Sequence, residues 1–108
     1  MDEESKLVLA LVQRFPEPKD FIKAIESFPI PEEKKGDLFL EFGNRLYNFS
    51  YFKLAILVWN KALEYYKRFK DKWGEASCYN NLGVAYRSLG DFYKAIELHN
   101  LALKIDIE

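Results

Sequence analysis

The chain has 108 residues, 49% of them apolar, which is enough to bury a core in one domain or in a few small repeats that share one. Seventeen acidic residues against sixteen basic leave a formal net charge of -1, so there is no electrostatic footprint for nucleic acid and none for an anionic membrane. The single cysteine, Cys78, rules out an intrachain disulfide and suits a reducing compartment.

The first apolar run, Leu7 to Val12, is too short to span a bilayer and follows the acidic Asp2-Glu3-Glu4 where a secretory leader is basic, so a soluble cytoplasmic protein is expected. Leu7, Val8, Leu11, Val12 and Phe15 instead recur at helical spacing, predicting a helix from Ser5, its candidate cap, to Phe15. Pro16-Glu17-Pro18 ends it, because proline donates no backbone hydrogen bond and pushes its predecessor toward extended structure. A second helix starts near Pro18, buries Phe21, Ala24, Ile25 and Phe28, and is cut short by Pro29-Ile30-Pro31.

Glu32 and Glu33 suit the positive end of a third helix, which runs to about Asn48 with Phe39, Phe42, Gly43 and Leu46 inward and is weakened at its start by Gly36. After the turn Asn48-Phe49-Ser50, with Ser50 as candidate cap, a long fourth helix carries Phe52, Ala55, Ile56, Trp59, Ala62, Leu63 and Tyr66. Lys67, Arg68, Lys70 and Lys72 crowd its end, where the helix dipole favours cations, and read as a solvated face. The fifth helix follows Trp73-Gly74 and carries Ala76, Tyr79, Leu82, Gly83 and Tyr86. Gly90-Asp91 breaks it, and a sixth presents Phe92, Ala95, Ile96, His99, Ala102 and Leu103. Gly83 and Ala95 let those two axes approach, with Tyr86 and Phe92 filling the gaps beside them. No strand pattern occurs.

Gly43 and Gly83, Phe52 and Phe92, Ala55 and Ala95, Ile56 and Ile96, Ala62 and Ala102, and Leu63 and Leu103 are all 40 residues apart. Asp20 to Glu26 reads almost letter for letter like Asp91 to Glu97, so the second helix is a further copy of the sixth. The pattern Leu82-Gly83, Tyr86, Gly90-Asp91, Ala95-Ile96, Ala102-Leu103 resembles a tetratricopeptide repeat. Its period is longer than the usual ~34 residues and is similar to the lengthened repeats of cell-polarity and spindle-orientation scaffolds, the extra length falling at Tyr65 to Phe69. Tyr79 and Phe39 stand where the general pattern has tryptophan, and His99 where it has a large aromatic. The resemblance implies an all-α, right-handed α-solenoid of about six helices in three hairpins: a degenerate repeat over 5–31, a second over 36–70 and a third over 75–108.

Chemistry is not expected. His99 has no second ligand or nucleophile at helical distance, Cys78 has no activating neighbour, the acidic pairs sit at helix starts, and no phosphate loop or metal motif occurs, so neither an enzyme nor a cofactor is anticipated. The resemblance implies instead a protein or peptide partner, extended or helical, in a concave groove lined by the first helices of the hairpins. The groove candidates are Leu40, Asn44 and Tyr47 on the third helix and Asn80, Asn81, Val84 and Arg87 on the fifth, with Asp37, Ser77 and Ser88 as polar neighbours. Asparagine amides can donate to and accept from a peptide backbone, and Arg87 can pair with a carboxylate. Asn44 and Asn81 match two asparagines of the repeats that clamp chaperone tails, but Leu40 replaces a clamp lysine, so that ligand is not expected. On the sixth helix, Leu98, Leu101 and Ile105 recur beside the inner stripe, and burying each is worth roughly 1.5–3 kcal/mol. They are candidates for docking a further repeat or a second copy, which makes assembly the alternative role.

Overall fold

A computed structural model describes residues 1–105. They form six α-helices and no strand: α1 Glu3–Arg14, α2 Pro18–Glu26, α3 Lys35–Asn48, α4 Phe52–Arg68, α5 Lys72–Ser88 and α6 Phe92–Leu103, with one 3-10 turn, Glu32–Lys34, leading into α3. The chain is an all-α helical repeat. Neighbours in sequence pack as α3 on α4, α4 on α5 and α5 on α6, and α3 also reaches α5 across the helix between them.

Two of the expected caps are corrected. Asp2, not Ser5, caps α1: its Oδ1 accepts from the Ser5 backbone N–H at 2.7 Å, so the helix starts at Glu3. Ser50 is not a cap but a helix-ending residue at φ 66°, and the N-cap of α4 is Tyr51. The reason is a turn repeated three times. Ser50, Lys70 and Gly90 all take positive φ, and after each the next N–H bonds back across the helix end: Tyr51 to the Leu46 carbonyl, Asp71 to Tyr66 and Asp91 to Tyr86, at 2.9, 2.8 and 2.9 Å. The left-handed residues themselves donate to Tyr47, Lys67 and Arg87. This double closure satisfies carbonyls that a helix end leaves orphaned. Asp71 and Asp91 then cap α5 and α6 through the N–H groups of Gly74 and Lys94. These turns fall every 20 residues, so the 40-residue repeat consists of two equal helix-plus-turn units.

The core follows the inward stripes of the middle helices. Phe39, Phe42 and Leu46 of α3 and Ala55, Ile56, Trp59, Ala62 and Tyr66 of α4 are buried as expected. The glycines mark the close approaches. A Cβ on Gly43 would overlap the Trp59 indole, and one on Gly83, 40 residues on, would lie 2.8 Å from the His99 ring, so Trp59 and His99 are equivalent knobs over equivalent hollows. Gly36, expected only to weaken α3, is a contact: its Cβ would come within 2.9 Å of the Tyr66 ring. Gly74 of α5 faces the same ring, which is held between two glycines while its hydroxyl donates to Asp37 at 2.6 Å.

The last helix is turned relative to expectation. Ala95 and Leu98 are its buried residues, and Leu98 belongs to the hydrophobic core instead of an uncovered row. Phe92, Ile96 and Leu103, expected to face α5, lie in the open. The matching positions of α2, α4 and α6 differ in cover. Phe21, Phe52 and Phe92 are fully buried, half-buried and 60% exposed in turn, and Ile25, Ile56 and Ile96 are 0%, 8% and 58% exposed. In α2 and α4, which pack against α3 and against α3 and α5, the matching positions are buried or half-buried; in α6 no described residue covers them. The helix is apolar on both sides because a stacking helix has two neighbours, so periodicity alone could not say which side meets α5.

Candidate functional site

Between the C-terminal halves of α3 and α5 lies an open hollow of about 460 Å³, lined by Asn44, Arg45, Tyr47, Asn48, Trp59, Asn81 and Val84. Four of the seven groove candidates, Asn44, Tyr47, Asn81 and Val84, are therefore brought together. The i, i+4 step on α3 places Asn44 and Asn48 on one face, and α5 lies alongside at the height of Asn81 and Val84.

The polar groups here are held in place. Asn81 Nδ2 donates to Asn44 Oδ1 at 3.2 Å, and the hydroxyls of Tyr47 and Ser88 share a hydrogen bond of 2.7 Å, so α3 and α5 are tied at two points along the hollow. The amide pair engages one N–H₂ and one carbonyl, and leaves an acceptor on Asn81 and donors on Asn44 for a ligand backbone. The wall beneath is aromatic: the Tyr47 ring lies 5.0 Å from that of Phe52 and 5.9 Å from that of Trp59, whose Nε1 donates to the Leu40 carbonyl at 3.2 Å. At the rim, Arg45 pairs with Glu4 at 2.7 Å and stands 3.8 Å from Asp2, which ties α1 to α3; its Nε is buried without a partner among the described residues.

The other three candidates fall elsewhere. Leu40 packs against the core and offers its carbonyl to Trp59 instead of its side chain to the groove. Asn80 turns toward α6, where its Oδ1 accepts from His99 Nδ1 at 3.0 Å. Arg87 is exposed beyond the lining. Of the docking candidates, Leu98 is buried, while Leu101 and Ile105 are partly exposed on a side of α6 away from the Phe92–Ile96–Leu103 stripe. Sequence reading missed Arg45, Asn48 and Trp59. Asn48 was within reach, one helical turn from Asn44, but Trp59 reads as core because most of its ring is core.

The titratable groups serve packing. Burial, aided by the carboxylates of Asp71 and Glu75, pushes the Cys78 thiol up to about 12, so it stays protonated near neutral pH. Burial and the hydrogen bond to Glu26 raise Tyr65 to about 12, and burial and Asp37 raise Tyr66 further. The basic cluster at the end of α4 and the start of α5 is largely engaged: Arg68 pairs with Glu32, Lys72 with Glu75, and Lys67 lies over the Tyr79 ring. Among the described residues no group of histidine, cysteine and carboxylate side chains converges to hold a metal, and no helix is long and apolar enough to cross a membrane.

No curated protein and no solved structure matches the chain. Residues 76–106, which span most of α5 and all of α6, match the tetratricopeptide repeat family.

Proposed function

We propose that this chain is a non-catalytic protein-interaction module that holds an extended or helical segment of a partner protein against α3 and α5. The observation that carries the reading is the hollow between those helices, where a fixed asparagine pair with spare donor and acceptor capacity lies beside an aromatic wall. Amides at that spacing read a peptide backbone, and the half-buried Tyr47 ring, backed by the buried Trp59, gives an apolar side chain a surface to rest on. The hollow sits on helices that the Asn81–Asn44 and Tyr47–Ser88 bonds hold together, so little ordering cost remains to be met on binding. The tetratricopeptide match of residues 76–106 supports the same use, the 40-residue register supports two repeats of the long-period kind, over 36–70 and 75–108, and the likeness of Asp20–Glu26 to Asp91–Glu97 supports a degenerate one over 5–31.

A second hollow, of about 490 Å³, lies at the turn edge between Val12, Pro16, Pro18, Leu54, Leu57 and Leu89. Lys53 is its one charged lining residue, and it offers no paired amides. The test starts from peptides selected against the whole chain from a displayed random library. Asn44→Ala and Asn81→Ala should each weaken the selected peptide roughly fivefold to tenfold, the worth of about one hydrogen bond. Leu57→Glu, in the turn-edge hollow, should leave affinity unchanged. Equal binding by the asparagine variants, or loss confined to Leu57→Glu, would remove the assignment.

A further inference from the structure

A hollow of about 360 Å³ opens between the first turns of α1, the connection from α2 to α3 and the N-terminal half of α3. Its floor is apolar: Leu7, Phe28, Ile30 and Leu38 line it beside the buried Phe42, whose ring meets that of Phe28 edge-on at 5.9 Å. Leu7 is 42% exposed and Phe28, Ile30 and Leu38 are half-buried, so an apolar side chain laid among them takes surface out of water on both sides.

The rim is acidic. Glu4 of α1 and Asp37 and Glu41 of α3 stand on it against one cation, Lys34. Glu4 is engaged, since Arg45 pairs with it at 2.7 Å. Asp37 and Glu41 have no cation within salt-bridge distance among the described residues, and Lys34 pairs with neither. The Tyr66 hydroxyl, donating to Asp37 at 2.6 Å, fixes that carboxylate without cancelling its charge. The two acids lie one turn apart on α3, at i and i+4, where like charges repel. Elsewhere the helices set a cation three residues from an acid, as in Glu3–Lys6, Lys72–Glu75 and Lys94–Glu97; here α3 sets acid beside acid, and a cation brought by a ligand relieves the repulsion.

We propose, building on the partner-binding reading above, that this hollow takes a large apolar side chain of the same partner segment, and that a lysine or arginine next to it in the partner is held by Asp37 and Glu41. The two hollows share α3. From Leu38 to Asn48 is ten residues of helix, about 15 Å, which an extended segment covers in about five residues at ~3.3 Å each. The carboxylates then select as well as hold, because an acidic segment laid along the same path would meet like charge.

Peptides selected against the whole chain from a displayed random library should carry a lysine or arginine beside a large apolar residue. Glu41→Lys, at an exposed position, should keep the helical circular dichroism and weaken a selected peptide about tenfold. The same peptide with its cation replaced by glutamate should bind the Glu41→Lys chain at least fivefold more tightly than it binds the parent chain. Leu7→Gln should weaken the selected peptide several-fold, which charge attraction alone does not produce. Selected peptides without a cation, parental affinity in Glu41→Lys or Leu7→Gln, or no gain in the reversed pair would each overturn the proposal; losses in Asn44→Ala and Asn81→Ala would then still leave the hollow between α3 and α5 standing. Losses in Glu41→Lys and Leu7→Gln with none in the asparagine variants would instead remove that hollow, and with it the single segment spanning both.

Discussion

Replacing Gly43 with alanine places a methyl group in space held by the Trp59 indole, where it would overlap Nε1, Cδ1 and Cε2. In an isolated helix the change would stabilise by about 1 kcal/mol. Here the ring must retreat by about 1 Å or the helices must part, an overpacking penalty of ~1–3 kcal/mol. Trp59 has little room to yield, being 3% exposed and packed on Tyr47, and its displacement also breaks the Nε1–H bond to the Leu40 carbonyl, about 1 kcal/mol more. The balance is a net loss of roughly 1–3 kcal/mol. Gly83→Ala meets the equivalent ring, His99, at 2.8 Å, but that ring lies at the open margin of α6 and can turn outward, giving up an exposed hydrogen bond to Asn80 that water replaces, so the helix-propensity gain offsets the contact and the net change stays within ~1 kcal/mol. Urea unfolding followed by far-ultraviolet circular dichroism measures both. A Gly43→Ala protein as stable as the parent, or equal losses at the two positions, would refute the reasoning that Trp59 is a locked knob and His99 a free one.

Two further predictions concern the turns and the buried tyrosines. Ser50→Gly and Lys70→Gly should each stabilise by roughly 0.5–1 kcal/mol, and Gly90→Lys should destabilise by a similar amount, because all three positions are left-handed and only Gly90 carries the residue suited to it; thermal midpoints moving the other way would contradict the turn assignment. Tyr65 is held at about 12 when folded, against an unfolded value near 10. The folded state thus keeps the proton longer, and the stabilisation is complete below pH ~10 and lost as the pH rises through ~12. A series of unfolding midpoints across that alkaline window should fall steeply for the parent and less steeply for Tyr65→Phe, and an unchanged slope would show that Tyr65 is not the group responsible.

Much of the fold is legible from spacing, because helices joined by short turns repeat their requirements locally. Gly43 and Gly83 recur because equivalent rings need equivalent hollows. What the sequence hides is orientation. The sixth helix carries Ala95 and Leu98 toward α5 and Phe92, Ile96 and Leu103 away from it, and both sets have helical spacing; small residues at Ala95 and Ala102 were the available sign of the closer side. Ser50 shows a second limit, since a serine before a helix suits an N-cap by type, whereas its actual place is set by Leu46 and Tyr51 closing the preceding helix. The groove was half legible. Asn44 and Asn81 emerge from helical phase alone, but their bond to each other, the turning of Asn80 toward His99 and the place of the buried Trp59 ring behind the hollow depend on how α3, α4, α5 and α6 settle together.

The most direct measurement is an amide chemical-shift map of the labelled chain titrated with a selected peptide. The largest changes should cluster at Asn44, Tyr47, Asn48, Asn81 and Val84 and at the Trp59 indole N–H, with α2 and the outer stripe of α6 unmoved. Changes centred on Val12, Tyr51, Leu57 and Leu89 would place the partner at the turn edge and contradict a peptide-binding hollow between α3 and α5.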